Sequence, residues 1–163
     1  MPPGWVVLPL VSVATLVSGA ILASMDQRVS FITLAVPDLA AERRFYVEGL
    51  RWAPELDVDD VLMFRVGERL VLSLWDEREF EAEVGPVRRG VGLAPVTLAH
   101  NCPTPAGVDE VLDRARAAGA DVSTATRREW GGYSGYFADP AGFRWEVAYN
   151  PGDIGRLVVP DTR

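Results

Sequence analysis

The sequence predicts an α+β fold built from two repeated βαβββ halves, and three observations carry that reading. Past Met25 the chain runs through strand-like and helix-like patterning in the same order twice. Thr33-Leu34-Ala35 opens the first run and Thr97-Leu98-Ala99 the second, and each run closes on a hairpin whose turn contains a glycine, Gly67 or Gly142. A chain of 163 residues, 48% hydrophobic and 24% charged, can build one shared core. Either half alone is too small to cover its own sheet, so the two must pair.

The first 24 residues stand apart from this pattern. Trp5 to Ser24 is uncharged and mostly apolar, just long enough at about 20 residues to span a bilayer. No Lys or Arg precedes it, Pro9 and several hydroxyl residues interrupt it, and Leu22-Ala23-Ser24 lacks the small-x-small pattern of a cleavage site. Residues 1–24 are therefore expected to form an apolar extension outside the fold, with Met25 as the natural beginning of a cytoplasmic domain spanning 25–151. The alternative is a membrane anchor through residues 5–24.

Within the domain, modules of about 28–76 and 94–150 are expected. Val29–Val36 is β-branched with period-2 character, a strand that Pro37-Asp38 ends. Asp38 is a helix N-cap, Leu39, Phe45, Tyr46 and Leu50 form the apolar face of the following helix, and Gly49 marks its end. Strands follow at Arg51–Leu56, Val61–Val66 and Arg69–Trp75, with Gly67-Glu68 as the turn between the last two. Glu77–Gly92, charged and without apolar periodicity, is the linker. In the second half Pro95–Asn101 is a strand. Ala106–Ala118 is a helix with Val108, Val111, Leu112 and Ala115 on one face and Gly119 at its end. Strands follow near Val122–Thr126, Gly135–Ala138 and Phe143–Tyr149, the last two joined by the turn Asp139-Pro140-Ala141-Gly142. Residues 152–163 read as a patternless tail.

Composition narrows the function. A net charge of −7 and a pI near 4.7 repel phosphate backbones, and the basic pairs Arg43-Arg44, Arg88-Arg89 and Arg127-Arg128 each have acids close by. Nucleic acid is not an expected partner. The sole cysteine, Cys102, allows no intrachain disulfide and reads as a small buried residue. The sole histidine, His100, rules out any site needing two imidazoles, and no Ser-His-Asp order around it supports a triad.

Two stretches resemble a known family. Ile32-Thr33-Leu34-Ala35-Val36-Pro37-Asp38-Leu39, followed by Arg44-Phe45-Tyr46 and Gly49-Leu50, is similar to the opening of a vicinal-oxygen-chelate domain, the glyoxalase and bleomycin-resistance superfamily. Trp130-Gly-Gly-Tyr133-Ser-Gly-Tyr136-Phe137-Ala138-Asp139-Pro140, leading into Gly142 and Trp145-Glu146-Val147, is similar to that family's closing aromatic strand, Asp-Pro-x-Gly turn and final Glu-bearing strand. The resemblance covers about Val29 to Pro151. It implies a curved mixed sheet around a central cavity, frequent homodimers, and, in metal-dependent members, four side chains holding a divalent ion that chelates adjacent substrate oxygens.

Carried over one position at a time, those ligands fall on Phe31, on Pro95, on Val71 or Ser73, and on Glu146. Only Glu146 matches, and one carboxylate with a hydroxyl does not hold a catalytic cation against water. No cofactor is expected. The cavity face implied by the resemblance carries Phe31, Thr33 and Ser73 from one half and Thr97, Arg144 and Glu146 from the other, with Arg144 and Glu146 as an ion pair or as a polar anchor for a ligand. Trp130, Tyr133 and Tyr136, spaced by glycines, are the aromatic candidates for ligand contact, or else rings packed in the core. His100, one position off this face, is expected to be a hydrogen-bonded structural residue. The leading expectation is a small-molecule-binding protein of the resistance or sequestration type. Its rivals are an enzyme, a glyoxalase-like lyase or isomerase using Glu146 as acid/base or as the sole remaining metal ligand, or a dioxygenase-related one, and a non-catalytic accessory module.

Overall fold

The computed structural model describes Met25, residues 27–88 and residues 90–160, so the apolar extension at 1–24 lies outside the described residues. Two modules follow one another. In the first, β1 (Phe31–Val36) leads into α1 (Leu39–Arg43), then β2 (Leu56–Asp57), β3 (Val61–Gly67) and β4 (Leu70–Asp76). The second contains β5 (Thr97–Asn101), α3 (Pro105–Ala117), β6 (Asp121–Val122), β7 (Thr126–Arg127), β8 (Tyr133–Ala138) and β9 (Arg144–Tyr149). Two short helices lie outside this repeat: α2 (Glu77–Glu83) between the modules and α4 (Asp153–Val158) after them.

The pairing is the same in both. β1 lies parallel to β4 in a sheet of order β1-β4-β3-β2, and β5 lies parallel to β9 in a sheet of order β5-β9-β8-β6, with β7 also on β8. The single curved sheet expected from the resemblance is thus two open mixed sheets, one per module. Asp38 caps α1 by accepting from the Ala41 N–H at 2.9 Å, and Thr104 caps α3 by accepting from the Gly107 N–H at 3.1 Å. α1 continues into a π-helical stretch, Arg44–Gly49, which closes with the Leu50 N–H on the Phe45 carbonyl.

Five expectations are corrected. The strand placed at Arg51–Leu56 is only Leu56–Asp57, because Arg51 takes a positive φ of 64° and the chain after it folds Trp52 back onto the core. The linker at Glu77–Gly92 contains α2, whose N-terminus Asp76 caps by accepting from the Arg78 N–H and whose Phe80 meets Trp75 edge-on at 5.8 Å. The tail holds α4. Val122–Thr126 divides into β6 and β7, which pair with opposite ends of β8, and the first hairpin turn is Glu68-Arg69, one residue later than expected.

Alternation decides what each sheet buries. Leu34, Val36, Leu62, Phe64, Leu72 and Leu74 share the helix-covered face of the first sheet, and Phe137, Trp145 and Val147 that of the second. These two covered faces meet in an aromatic seam. Phe45 packs on Phe137 at 5.9 Å, Trp52 stands edge-on to Trp145 at 5.7 Å, and Phe137 stacks on Trp145 at 5.9 Å with planes 6° apart. Tyr46, fully buried, ties the modules together: its hydroxyl donates to Asp139 Oδ2 at 2.9 Å and accepts from Trp145 Nε1 at 2.9 Å.

Candidate functional site

Because the modules join through their helix-covered sides, the other face of each sheet lies outside the shared core. On the first sheet that face carries Phe31 opposite Val71, Thr33 opposite Ser73, and Ala35 opposite Trp75, with Met63 beside Ser73 on β3. Phe31 is 54% exposed and Thr33 is exposed, while Ser73 is buried. On the second sheet the equivalent face carries Thr97 opposite Arg144, Ala99 opposite Glu146, and Tyr136 on the far side of Glu146. None of the principal cavities touches Phe31, Thr33, Ser73, Thr97 or Glu146.

Glu146 is half-buried at the centre of the second face. The Tyr136 hydroxyl donates to its Oε1 at 3.0 Å, and burial together with this bond raises the Tyr136 hydroxyl above its ordinary range. Arg128 lies over the Tyr136 ring at 5.8 Å and is fixed there by donating to Ser134 Oγ at 2.8 Å and to the Ser134 carbonyl at 3.0 Å. The Tyr136 N–H donates to Ser123 Oγ. A carboxylate, a phenol and a guanidinium are thus positioned together on strand β8, strand β9 and the end of β7. Arg144 reaches Asp121 at 3.7 Å instead of Glu146, so the expected Arg144–Glu146 ion pair is not formed among the described residues.

The three aromatics of the closing stretch do not converge. Tyr136 faces Glu146, whereas Tyr133, of opposite parity on β8, donates its hydroxyl to Asp109 of α3 at 2.8 Å. Trp130 sits in the β7–β8 hairpin, 53% exposed, with its ring laid across Gly132 where any Cβ would collide with it. His100 is a further correction. Its ring lies on the helix-covered face opposite Val147 and makes no hydrogen bond among the described residues. Burial lowers its pKa from the usual histidine value.

The four positions at which the resemblance implies metal ligands hold hydrocarbon, a hydroxyl and a single acid. Phe31 and Val71 face each other, Pro95 precedes β5, and Glu146 stands alone. By register Trp75 pairs with Ala35 as Glu146 pairs with Ala99, so a second aromatic stands at the matching corner of the first sheet. Among the described residues no three His, Cys, Asp or Glu side chains converge in a metal-holding group. This donor set does not fit a divalent catalytic cation.

A cluster absent from the sequence reading lies inside the seam. Glu42, 1% exposed, points from α1 toward Asp139, and its Oε2 is the buried side-chain oxygen without a partner among the described residues. Burial first, and Asp139 second, push its carboxyl up to about 8. Asp139 is raised too, by burial, against the opposing donation from the Tyr46 hydroxyl and the Phe143 N–H. Spacing could have found Glu42, since it falls three residues after Leu39 on the apolar face of α1. Its partner Asp139 is too distant in sequence for any pattern to join them.

Comparison with known proteins follows the same lines. Residues 28–147 match the model of the Glyoxalase/Bleomycin resistance protein/Dioxygenase superfamily. A glyoxalase-related enzyme from Fulvimarina pelagi is 35% identical, with a TM-score of 0.70 over 77% of this chain and 89% of that one. A lactoylglutathione lyase from Agrobacterium tumefaciens is 26% identical, with a TM-score of 0.60 over 77% of this chain and 96% of that one. A glyoxalase/bleomycin resistance protein/dioxygenase from Nocardioides, 23% identical with a TM-score of 0.67 over 81% and 92% of the two chains, shares the fold. No curated protein sequence matches.

Proposed function

The chain belongs to the glyoxalase/bleomycin resistance protein/dioxygenase superfamily, and from that premise we propose that it binds a small organic molecule, without a metal, on the sheet face that carries Glu146. The observation that carries this is the Tyr136–Glu146 hydrogen bond with Arg128 laid over the phenol: an aromatic surface with a fixed acceptor and a fixed cation beside it. Small-molecule sites combine apolar and aromatic walls with a few positioned polar groups, and this face has that composition.

A single sheet face is a shallow site. The face bearing Phe31, Thr33 and Ser73 and the face bearing Thr97, Tyr136 and Glu146 both lie outside the seam, and none of these six residues lines a principal cavity. Two copies of the chain, each laying its first open face over the other's second, would close two such pockets. The exposed apolar residues Val29, Phe31, Leu56 and Val96 favour such an arrangement, because association covers them.

A thermal-shift screen of small aromatic and dicarbonyl compounds tests the reading, since a ligand selective for the folded state raises the melting temperature. At least one such compound is expected to shift the full chain and to lose most of its shift in Tyr136→Ala. A screen without any shift overturns the proposal. The Tyr136–Glu146 bond also favours a second reading, a lyase or isomerase in which Glu146 moves the proton. Under that reading Glu146→Gln abolishes turnover, by about 100-fold or more for a lost acid-base group, while leaving aromatic ligands bound. Under the binding reading the same variant changes affinity alone.

A further inference from the structure

A second cleft opens where the modules meet, reaching neither Tyr136 nor Glu146. Its larger chamber, about 460 Å³, is lined by Trp52, Phe64, Arg65, Val66, Ala99, His100 and Trp145 among others. A smaller adjoining chamber of about 110 Å³ shares Trp52, His100 and Trp145 and adds Phe137 and Arg114. The larger one falls within the about 300–1,000 Å³ of ordinary ligand pockets.

Three features of this lining are unusual for the chain. Asp and Glu outnumber Lys and Arg by 23 to 16 overall, yet neither chamber is lined by an acid, while Arg65, Arg114 and His100 all border it. Arg65 is paired with Glu55 at 3.1 Å, but neither the Arg114 guanidinium nor the His100 imidazole has a hydrogen bond or ion pair among the described residues. Trp52 is brought to the cleft by a loop that begins at Arg51 with a positive φ of 64°, a conformation a non-glycine residue holds only where its surroundings enforce it. Trp52 and Trp145, edge to face at 5.7 Å, form the wall common to both chambers.

We infer that this cleft is a binding site for a planar aromatic carboxylate, its ring against Trp52 and Trp145 and its carboxylate held by Arg114 and His100. A flat ring suits the indole walls, and a carboxylate supplies the acceptors that an unpaired guanidinium and an unpaired imidazole lack. The inference uses other side chains than the open-face reading: Phe64, His100, Phe137 and Trp145 lie on the helix-covered sides of their sheets, and neither chamber is lined by Tyr136, Glu146 or Arg128.

The chain's single histidine makes the test direct, since its imidazole gives one Hε1 signal. Indole-3-acetate titrated into the full chain is expected to move that signal saturably and to raise its titration midpoint, as an anion beside an imidazole does. The charged residues that line the chambers with His100 are Arg114 from α3 and Arg65 from β3, the latter paired with Glu55, so the midpoint with ligand is read against that of the ligand-free chain. Arg114→Gln, at an exposed position, is expected to weaken binding about tenfold or more, the value of one charge-assisted hydrogen bond. Indole-3-ethanol, which keeps the ring and lacks the charge, is expected to bind correspondingly more weakly. A His100 signal that does not move overturns the inference, as does affinity unchanged in Arg114→Gln. Saturable binding that perturbs Tyr136 and leaves His100 untouched places the compound on the open face instead, and overturns it equally.

Discussion

At the scale of single residues, Glu42 is the most consequential position that function does not explain. A carboxyl buried in the seam beside a second carboxyl keeps its proton, because desolvation and the neighbouring charge both disfavour the anion. In the unfolded chain Glu42 ionises near 4.5, whereas in the folded chain it does so near about 8. Between those values the folded state binds more protons, so stability falls as pH rises through this window, and the Asp139 shift acts in the same direction. Glu42→Gln removes the ionisation and keeps the shape. It is expected to flatten the decline of melting temperature between pH 5 and pH 8 and to leave the variant more stable above that, on the order of 5 kcal/mol at the full shift. Calorimetry across the pH range checks this, and parallel profiles would contradict it. Glu146 could be picked out from the sequence because it closes a recognisable motif. The Tyr136 hydroxyl that bonds to it was visible only as one of three aromatics, and the cation over the ring, Arg128, looked like one half of an unremarkable basic pair.

Elements were legible where a local rule decides them. Asp38 marks a helix start by capping and Gly119, at a positive φ of 96°, a helix end by chirality, and β1, β3, β4, β5, β8 and β9 stand where period-2 patterning puts them. Failures came where a tertiary contact decides. β2 is short because Trp52 is drawn into the seam, and α2 forms without apolar periodicity because Asp76 caps it and Phe80 anchors on Trp75. The docking of α1 on the second module depends on a close approach at its C-terminal end. Gly49 lies so near Ala118 that a Cβ there would overlap the Ala118 side chain. Gly49→Ala is expected to cost about 1–3 kcal/mol through overpacking. Adding Ala118→Gly should recover much of that loss, a coupling that chemical denaturation of the two single variants and the double variant measures. Additive losses would show that the contact does not limit docking.

At the scale of the whole molecule, the repeat of strand, helix and three strands told correctly that two modules pair. It did not tell which sides meet. Both sides of each sheet carry apolar residues, Phe31 and Val71 on one and Leu34 and Leu72 on the other, so alternation alone does not choose between them. The choice is made by Tyr46, whose hydroxyl joins Asp139 and Trp145 across the seam. With the helix-covered sides joined, the open faces lie outside the shared core, and the proposed function assigns them to a second copy and a ligand. Phe31→Asp, which places a charge on an exposed edge of the first open face, is expected to leave the fold intact and shift sedimentation from dimer to monomer. A variant that sediments as the unaltered chain does would remove that face from the interface. Among the described residues no helix is long and apolar enough to cross a membrane.

The proposal that this superfamily member binds its ligand without a metal meets its sharpest test in calorimetric titration of a thermal-shift hit into EDTA-treated full-length protein. The expected result is an affinity equal to that of untreated protein and a heat of binding lost in Tyr136→Ala. Binding that disappears with EDTA and returns when Zn²⁺, Ni²⁺ or Fe²⁺ is restored would contradict it.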